Sequence, residues 1–182
     1  MRRSIALLAL CAVFAAQPAL AALKVGAPAP DFKADAAVGG QPFKFSLADT
    51  LKKGPVVLYF YPKAFTSGCT VEAHNFAEAT PKFQALGATV IGISNDDIET
   101  LKKFSVEACR NKFAVAADAG ARVMKDYDAR LGLVPGVAMA DRISYLIAPD
   151  GKVAAVHASM SPDGHVEAML KAVEQLKSPA KP

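Results

Sequence analysis

The chain alternates between blocks with the hydrophobic pattern of strands and blocks with the pattern of helices. Residues 56–61 form an unbroken apolar run, Val-Val-Leu-Tyr-Phe-Tyr, between the breaker pair Gly54-Pro55 and Pro62. Such a run predicts a strand buried on both faces, as in the middle of an α/β sheet. Residues 165–176 instead repeat apolar side chains every three or four positions, which predicts a helix with one buried face. The two periods together indicate a mixed α/β chain.

Strand and helix patterns follow one another from residue 31 to residue 176. The predicted strands are two short segments around Gly39-Gly40 within 31–45, then 56–61, 88–94, 113–117, 142–147 and 153–157. The predicted helices are a short one after Ser46, one from Thr66 to Gly87 with a kink or restart at Thr80-Pro81, one from Asp96 and Asp97 to Arg110, then 119–128 and 165–176. This order predicts a thioredoxin-like α/β fold, with a central mixed β-sheet flanked by helices.

The first 21 residues have the pattern of a signal peptide. Arg2-Arg3 precede an apolar stretch over 5–14, and Ala19-Leu-Ala21 provides an A-x-A cleavage site. We expect cleavage after Ala21, export to the periplasm or the medium, and one domain over 22–182. Cys11 lies in the apolar stretch and is expected to be lost with it.

Charge and motif content exclude several functional classes. Residues 1–21 carry two basic and no acidic side chains, so their removal lowers the formal net charge from +4 to +2. No basic run or basic–aromatic cluster remains, and nucleic acid is not an expected partner. The three histidines lack a metal-ligand spacing and glycine-rich phosphate loops are absent, so no metal or other cofactor is expected. We also expect no membrane association of the mature chain.

The sequence Pro62-Lys-Ala-Phe-Thr66-Ser-Gly-Cys69 connects the apolar strand to the next helix. Thr66 and Ser67 are good N-cap residues, which places Cys69 in the first helical turn. Unpaired backbone N–H groups and the positive end of the helix dipole stabilise an anion there, so we expect a reactive thiolate at Cys69. The alternative is an inert buried cysteine, which is the common state of a free cysteine.

These residues resemble the active-site loop of the peroxiredoxins. The string Tyr59-Phe-Tyr-Pro62, followed by Thr66, Cys69 and Glu72, is most similar to the bacterioferritin-comigratory, or peroxiredoxin Q, subgroup. Residues 25–32, 88–94 and 142–147 resemble further family segments in the same order. The resemblance therefore covers nearly all of the chain after residue 21, and it implies a thioredoxin-like fold.

The resemblance also implies an activity and a set of residue roles. It implies a thiol-dependent peroxidase that reduces hydrogen peroxide and organic hydroperoxides through a cysteine sulfenic acid. Cys69 would be the nucleophile, Thr66 and Arg142 would bind the peroxide oxygens, and Pro62 would shield the pocket. A fixed positive charge suits Arg142 to this role because negative charge develops on the leaving oxygen. The alternative for Arg142 is an ordinary surface charge at a strand edge.

A second cysteine, which in such enzymes reacts with the sulfenic acid of the first, is harder to assign in this chain. Many subgroup members carry it five residues after the first, where this chain has His74. Cys109 is the remaining candidate, and helical geometry places it half-buried at the border of an apolar stripe. Three alternatives stay open for Cys109. It resolves the Cys69 sulfenic acid by forming a disulfide with it, it is a packed structural thiol, or it forms a permanent disulfide bridge to Cys69. The expected reductant is a thioredoxin-like or glutaredoxin-like protein or a small thiol, and the expected unit is a monomer or weak dimer.

Two other functions remain open from the sequence. An exported thiol–disulfide oxidoreductase is one, although Thr66 stands where a C-x-x-C pair would have its first cysteine. A holdase or binding module on the same scaffold is the other, since such a module neither needs nor excludes a reactive thiol.

Overall fold

The computed structural model describes residues 22–131 and 138–178. Its seven strands form one mixed sheet with the order β2-β1-β5-β4-β3-β6-β7. The strands are β1 (Lys33–Val38), β2 (Gln41–Ser46), β3 (Val56–Phe60), β4 (Thr89–Ser94), β5 (Ala114–Ala117), β6 (Ile143–Ile147) and β7 (Val153–Ala158). The helices are α1 (Leu47–Leu51), α2 (Ser67–Ala85), α3 (Ile98–Glu107), α4 (Arg122–Asp126) and α5 (His165–Lys177). The predicted central mixed sheet flanked by helices is confirmed.

The predicted central strand is confirmed in β3. It pairs in parallel with β4 and antiparallel with β6, so that Leu58 lies opposite both Ile91 and Tyr145. All five β3 residues are buried. An apolar run without polar alternation produces this placement because both faces of the strand are covered.

Alternate residues of β3 enter two separate hydrophobic clusters. Tyr59 packs with residues of α2, α3 and α5. Leu58 packs on the other face with residues of α1 and α4. The Tyr59 ring lies so close to β4 that a Cβ at Gly92 would stand 2.7 Å from its Cζ atom, so this position requires glycine. The sheet therefore separates the α2–α3–α5 layer from the α1–α4 layer.

One predicted helix end is wrong, and one of two alternatives for another helix is excluded. The helix expected to reach Arg110 ends at Glu107, because Arg110 and Asn111 take left-handed φ values of 50° and 60°. At Thr80-Pro81, where the sequence predicts a kink or a restart, there is no restart, and α2 runs through Pro81 without a break. Proline removes one backbone donor, but nearby packing of α2 in the core stabilises the helix.

The predicted signal peptide lies outside the described residues. Among the described residues, we find no helix with the length and apolar character needed to cross a bilayer.

Candidate active site

Cys69 lies in the first turn of α2, as the sequence predicts. It is 1% exposed and belongs to the cluster between the sheet and the α2–α3–α5 layer. Thr66 is the N-cap by backbone geometry, but its hydroxyl donates to the Lys63 carbonyl at 2.9 Å and accepts no hydrogen bond from the first turn of α2, so the expected side-chain cap is wrong. The first turn of α2 also contains no acidic residue. Its backbone N–H groups therefore remain available to an anion.

Arg142 reaches the sulfur from the neighbouring strand. It precedes β6, whose Ile143 pairs with Phe60 at the end of β3, directly before the loop that leads to Cys69. The Arg142 Nη2 atom lies 3.4 Å from Cys69 Sγ. Arg142 is buried, so the alternative of a surface charge is wrong. Antiparallel pairing brings together two residues that are 73 positions apart.

The rest of the guanidinium is held by two other groups. Its Nη1 atom donates to Glu72 Oε2, and its Nε atom donates to the Met160 carbonyl at 3.1 Å. A Cβ at Gly68 would lie 3.2 Å from Nη2, so glycine leaves room for the guanidinium at the start of α2. The planar fork is thus fixed in one orientation by acceptors on three sides.

Glu72 and His165 form a buried extension of this network. Glu72 lies one helical turn after Cys69, and its Oε1 atom is 3.6 Å from Nδ1 of His165. Burial raises the pKa of Glu72 to about 7, against the opposing charge and hydrogen bond of Arg142. Burial lowers the pKa of His165 to about 4, against its hydrogen bond to the Ser159 carbonyl.

Sequence reasoning assigned no role to either residue. Glu72 was visible in the family motif, but its contact with Arg142 depends on strand pairing. His165 opens α5 and lies on the same buried face as Met169 and Val173, four and eight positions later. That spacing is visible in the sequence and could have indicated that His165 is buried.

The loop between β3 and α2 carries the other two predicted residues. Pro62 is half-buried and borders a small cavity of about 100 Å³ together with Asn95 and Met139. Thr66 is exposed, and its hydroxyl contacts the loop backbone, not the thiol. Asp96, predicted as a helix cap, accepts from the Ala64 N–H at 2.8 Å and so anchors this loop.

Cys109 differs from the prediction. It lies in the turn after α3, is 0% exposed, and is therefore not half-buried. Burial raises the pKa of the Cys109 thiol. It shares the hydrophobic cluster of Cys69, yet both cysteines are free thiols in the structure, and the permanent bridge is not present.

The described residues contain no group of three or more histidine, cysteine, aspartate or glutamate side chains with the geometry of a metal site. The site brings together a buried sulfur, a fixed positive charge and the carboxyl group of Glu72. A nucleophilic thiolate beside an oxyanion-stabilising guanidinium is suited to the heterolysis of a polar bond.

Known proteins are similar to this chain in fold and in sequence. The AhpC/TSA family matches residues 25–156. A chloroplastic peroxiredoxin Q of Sedum lineare is 33% identical over 152 residues, covering 76% of this chain and 78% of the relative. The crystal structure of the peroxidoxin BcpB from Mycobacterium tuberculosis has a TM-score of 0.75 and 33% identity, covering 86% of this chain and 99% of that one. A mutant PrxQ of Xylella fastidiosa, 23% identical with a TM-score of 0.76 over 87% of this chain and 99% of that one, shares the fold.

Fold and sequence together define a thiol-dependent peroxidase with the thioredoxin-like fold of the peroxiredoxins. The chain belongs to the AhpC/TSA family, which its match over residues 25–156 shows. The two other functions left open by the sequence, a thiol–disulfide oxidoreductase and a holdase, are not favoured.

Proposed function

We propose that Cys69 is the peroxidatic nucleophile and that Arg142 stabilises the charge that develops on the peroxide. The observation that carries this assignment is the contact of 3.4 Å between Arg142 Nη2 and Cys69 Sγ inside the protein. A guanidinium at this distance donates to the sulfur and remains within reach of an oxygen bound beside it. Hydrogen peroxide and organic hydroperoxides are the proposed substrates.

The first chemical step is a displacement on oxygen. The Cys69 thiolate attacks one peroxide oxygen, an S–O bond forms and the O–O bond breaks. The leaving oxygen takes the electron pair of the O–O bond and the proton that the Cys69 thiol released on becoming a thiolate, and it departs as water or an alcohol. The sulfur is oxidised by two electrons to a sulfenic acid. Arg142 lowers the barrier because its charge lies where the leaving oxygen becomes negative.

Thr66 and Pro62 are proposed to complete the pocket. The Thr66 hydroxyl rotates from the Lys63 carbonyl to donate to a peroxide oxygen, which its exposed position in the loop permits. Pro62 presents an apolar ring without an N–H group and limits the access of water to the sulfur. Both residues lie within seven positions of Cys69 on the same loop.

Cys109 is proposed to resolve the sulfenic acid. Its thiol condenses with the Cys69 sulfenic acid, a disulfide forms and water leaves. A dithiol of the thioredoxin or glutaredoxin type, or a pair of small thiols, then reduces the bond and is itself oxidised to a disulfide. Membership of both cysteines in one cluster supports this step. The left-handed turn at 110–111 is the segment that must loosen.

Export is proposed from residues 1–21, with the mature enzyme acting in the periplasm or the medium as a monomer or weak dimer. The basic, apolar and A-x-A segments support this location. The N-terminal mass of enzyme recovered from an envelope fraction should begin at residue 22. Recovery of the full-length chain in the cytoplasm would contradict the proposal, and sedimentation analysis would establish the oligomeric state.

The decisive test of the nucleophile is Cys69→Ser. This variant should lose turnover of both hydrogen peroxide and an organic hydroperoxide with dithiothreitol as reductant, because serine cannot form a sulfenic acid. Far-UV circular dichroism should remain that of the wild type, since the side chains are nearly isosteric. Substantial turnover by Cys69→Ser would refute the assignment.

A further inference from the structure

Behind the guanidinium lies a buried histidine that the reaction itself does not use. His165 is 0% exposed, and both of its ring nitrogens have partners. Its Nε2 atom is 2.9 Å from the Ser159 carbonyl, and its Nδ1 atom is 2.8 Å from Ser144 Oγ. Three elements therefore meet at one side chain: α5 supplies it, β6 supplies Ser144, and the segment after β7 supplies the carbonyl.

The hydrogen bonds determine which nitrogen carries the proton. A carbonyl oxygen only accepts, so Nε2 must donate to Ser159. In the neutral ring Nδ1 is then an acceptor, and it accepts a hydrogen bond from the Ser144 hydroxyl. Glu72 Oε1 lies 3.6 Å from the same Nδ1 atom and has no hydrogen-bond partner among the described residues.

One buried carboxylate thus connects the histidine to the site. Oε2 of Glu72 accepts from Arg142, whereas Oε1 faces His165. When these two atoms close from 3.6 Å, a proton on Oε1 lets Glu72 donate to Nδ1 in place of the Ser144 hydroxyl, and this hydrogen bond fixes the plane of the carboxyl group. Because Arg142 binds the other oxygen, the plane of the carboxylate sets the direction of the guanidinium.

We propose that His165 is a positioning residue for peroxide reduction: it holds the Glu72 carboxylate that aims the Arg142 guanidinium at the reacting sulfur and oxygen. The proposal rests on the roles proposed above for Cys69 and Arg142. The charged and titratable groups that surround His165 are Glu72 on α2, Arg142 before β6 and His157 on β7.

The structure offers a second route by which His165 could act. Its bond to the Ser159 carbonyl anchors the segment whose next residue, Met160, accepts from Arg142 Nε. The two routes use different ring nitrogens, so two amide variants separate them. In His165→Asn an amide replaces Nδ1 and can donate to Glu72, but the bond to Ser159 is lost. In His165→Gln the amide reaches the position of Nε2, and the contact with Glu72 is lost.

The experiment compares two reactions of the same sulfur in a Cys109→Ser background, which leaves Cys69 as the only thiol after residue 21. Peroxide reduction requires stabilisation of a leaving oxygen, whereas alkylation by iodoacetamide does not. The ratio of the rate constant for peroxide reduction to that for alkylation therefore reports how well the guanidinium is oriented toward the leaving oxygen. The ratio also corrects for a general change in access to Cys69. His157→Gln, beside His165 at a ring distance of 4.6 Å, is the matched control.

We expect the ratio to fall at least tenfold in His165→Gln and to stay within threefold of the parent in His165→Asn and His157→Gln. Equal ratios in His165→Gln and His165→Asn, whether normal or reduced, would overturn the proposal, and so would a larger loss in His165→Asn. A parent protein whose Cys69 does not react with peroxide would instead refute the proposed function. Thermal unfolding of each variant confirms that the folded protein is compared.

Discussion

At the scale of single residues, the site depends on one guanidinium that serves three acceptors. Arg142 contacts the Cys69 sulfur, the Glu72 carboxylate and the Met160 carbonyl while almost entirely buried. A buried charge of this kind is tolerated because each of the three guanidinium nitrogens donates to an acceptor. Loss of one partner leaves an uncompensated charge, at a cost of about 3–5 kcal/mol in comparable buried pairs.

Arg142→Lys tests the planar fork separately from the charge. A single ammonium keeps the positive charge but cannot satisfy Cys69, Glu72 and the carbonyl in the same directions. We expect the rate constant for peroxide reduction to fall about a hundredfold, the usual effect of losing one oxyanion donor. Stopped-flow measurement of peroxide consumption by the reduced enzyme checks this.

The matched control is Arg110→Lys. Arg110 forms an exposed ion pair with Glu78, so the substitution should change neither the rate nor the fold appreciably. An Arg142→Lys enzyme as fast as this control would mean that charge alone, without the fork geometry, accounts for the contribution of Arg142.

At the scale of elements, aromatic packing connects the active-site loop to α3. Phe65, which has a left-handed φ of 65°, packs edge-on against Phe104 with ring centroids 5.2 Å apart. Tyr61 stacks on the same ring at 5.5 Å. The Phe104 carbonyl in turn accepts from the N–H groups of Ala108 and Cys109, each at 3.0 Å. The loop before Cys69 and the turn carrying Cys109 are therefore coupled through one residue.

This coupling leads to a prediction for the catalytic cycle. After one equivalent of peroxide, the wild-type protein should weigh two hydrogens less than the reduced form and contain no free thiol in the mature chain. The turn after α3 must loosen for this, because rigid elements seldom bring two buried sulfurs within bonding distance. Intact mass under non-reducing conditions and thiol titration check the expectation.

Cys109→Ser provides the comparison for this cycle. It should gain one oxygen at Cys69 and proceed to sulfinic acid with excess peroxide. A wild-type protein that also keeps a one-oxygen adduct, with Cys109 still open to alkylation after unfolding, would show that the enzyme works with a single cysteine.

At the scale of the whole molecule, two buried titratable groups oppose each other in the dependence of stability on pH. The pKa of Glu72 is raised from 4.5 to about 7, so its contribution to stability is full below pH 4.5 and is lost as pH rises through 7. The pKa of His165 is lowered from 6.5 to about 4, so its contribution is full above pH 6.5 and is lost as pH falls through 4. Between pH 4.5 and 6.5 the two contributions change in opposite directions.

Removing each group in turn should reveal how its titration changes the free energy of unfolding with pH. Relative to wild type, His165→Asn should lose stability as pH rises from 4.5 to 6.5, and Glu72→Gln should gain stability over the same interval. Each slope is at most about 1.4 kcal/mol per pH unit, the value for one proton. Free energies of unfolding from urea titrations at several pH values measure them. Slopes of the same sign would mean that the two groups do not titrate as a buried pair.

Much of this molecule follows from local sequence alone. The apolar run at 56–61 predicts the buried central strand, and Asp97 caps α3 as expected, accepting from the Thr100 N–H at 2.8 Å. The predicted position of Cys69 at the start of a helix is confirmed as well. These features depend on residues a few positions apart, whose periodicity and capping preferences act over one or two turns of chain.

The details that give the site its chemistry were decided by tertiary structure. Antiparallel pairing of β3 with β6 brings Arg142 to Cys69, and the docking of α5 brings His165 to Glu72. The same docking of elements buries Cys109, which its position on a helical stripe did not predict. Contacts between residues 70 or more positions apart leave no periodic trace in a single chain. Burial, which raises one pKa and lowers another, exists only after the layers have packed.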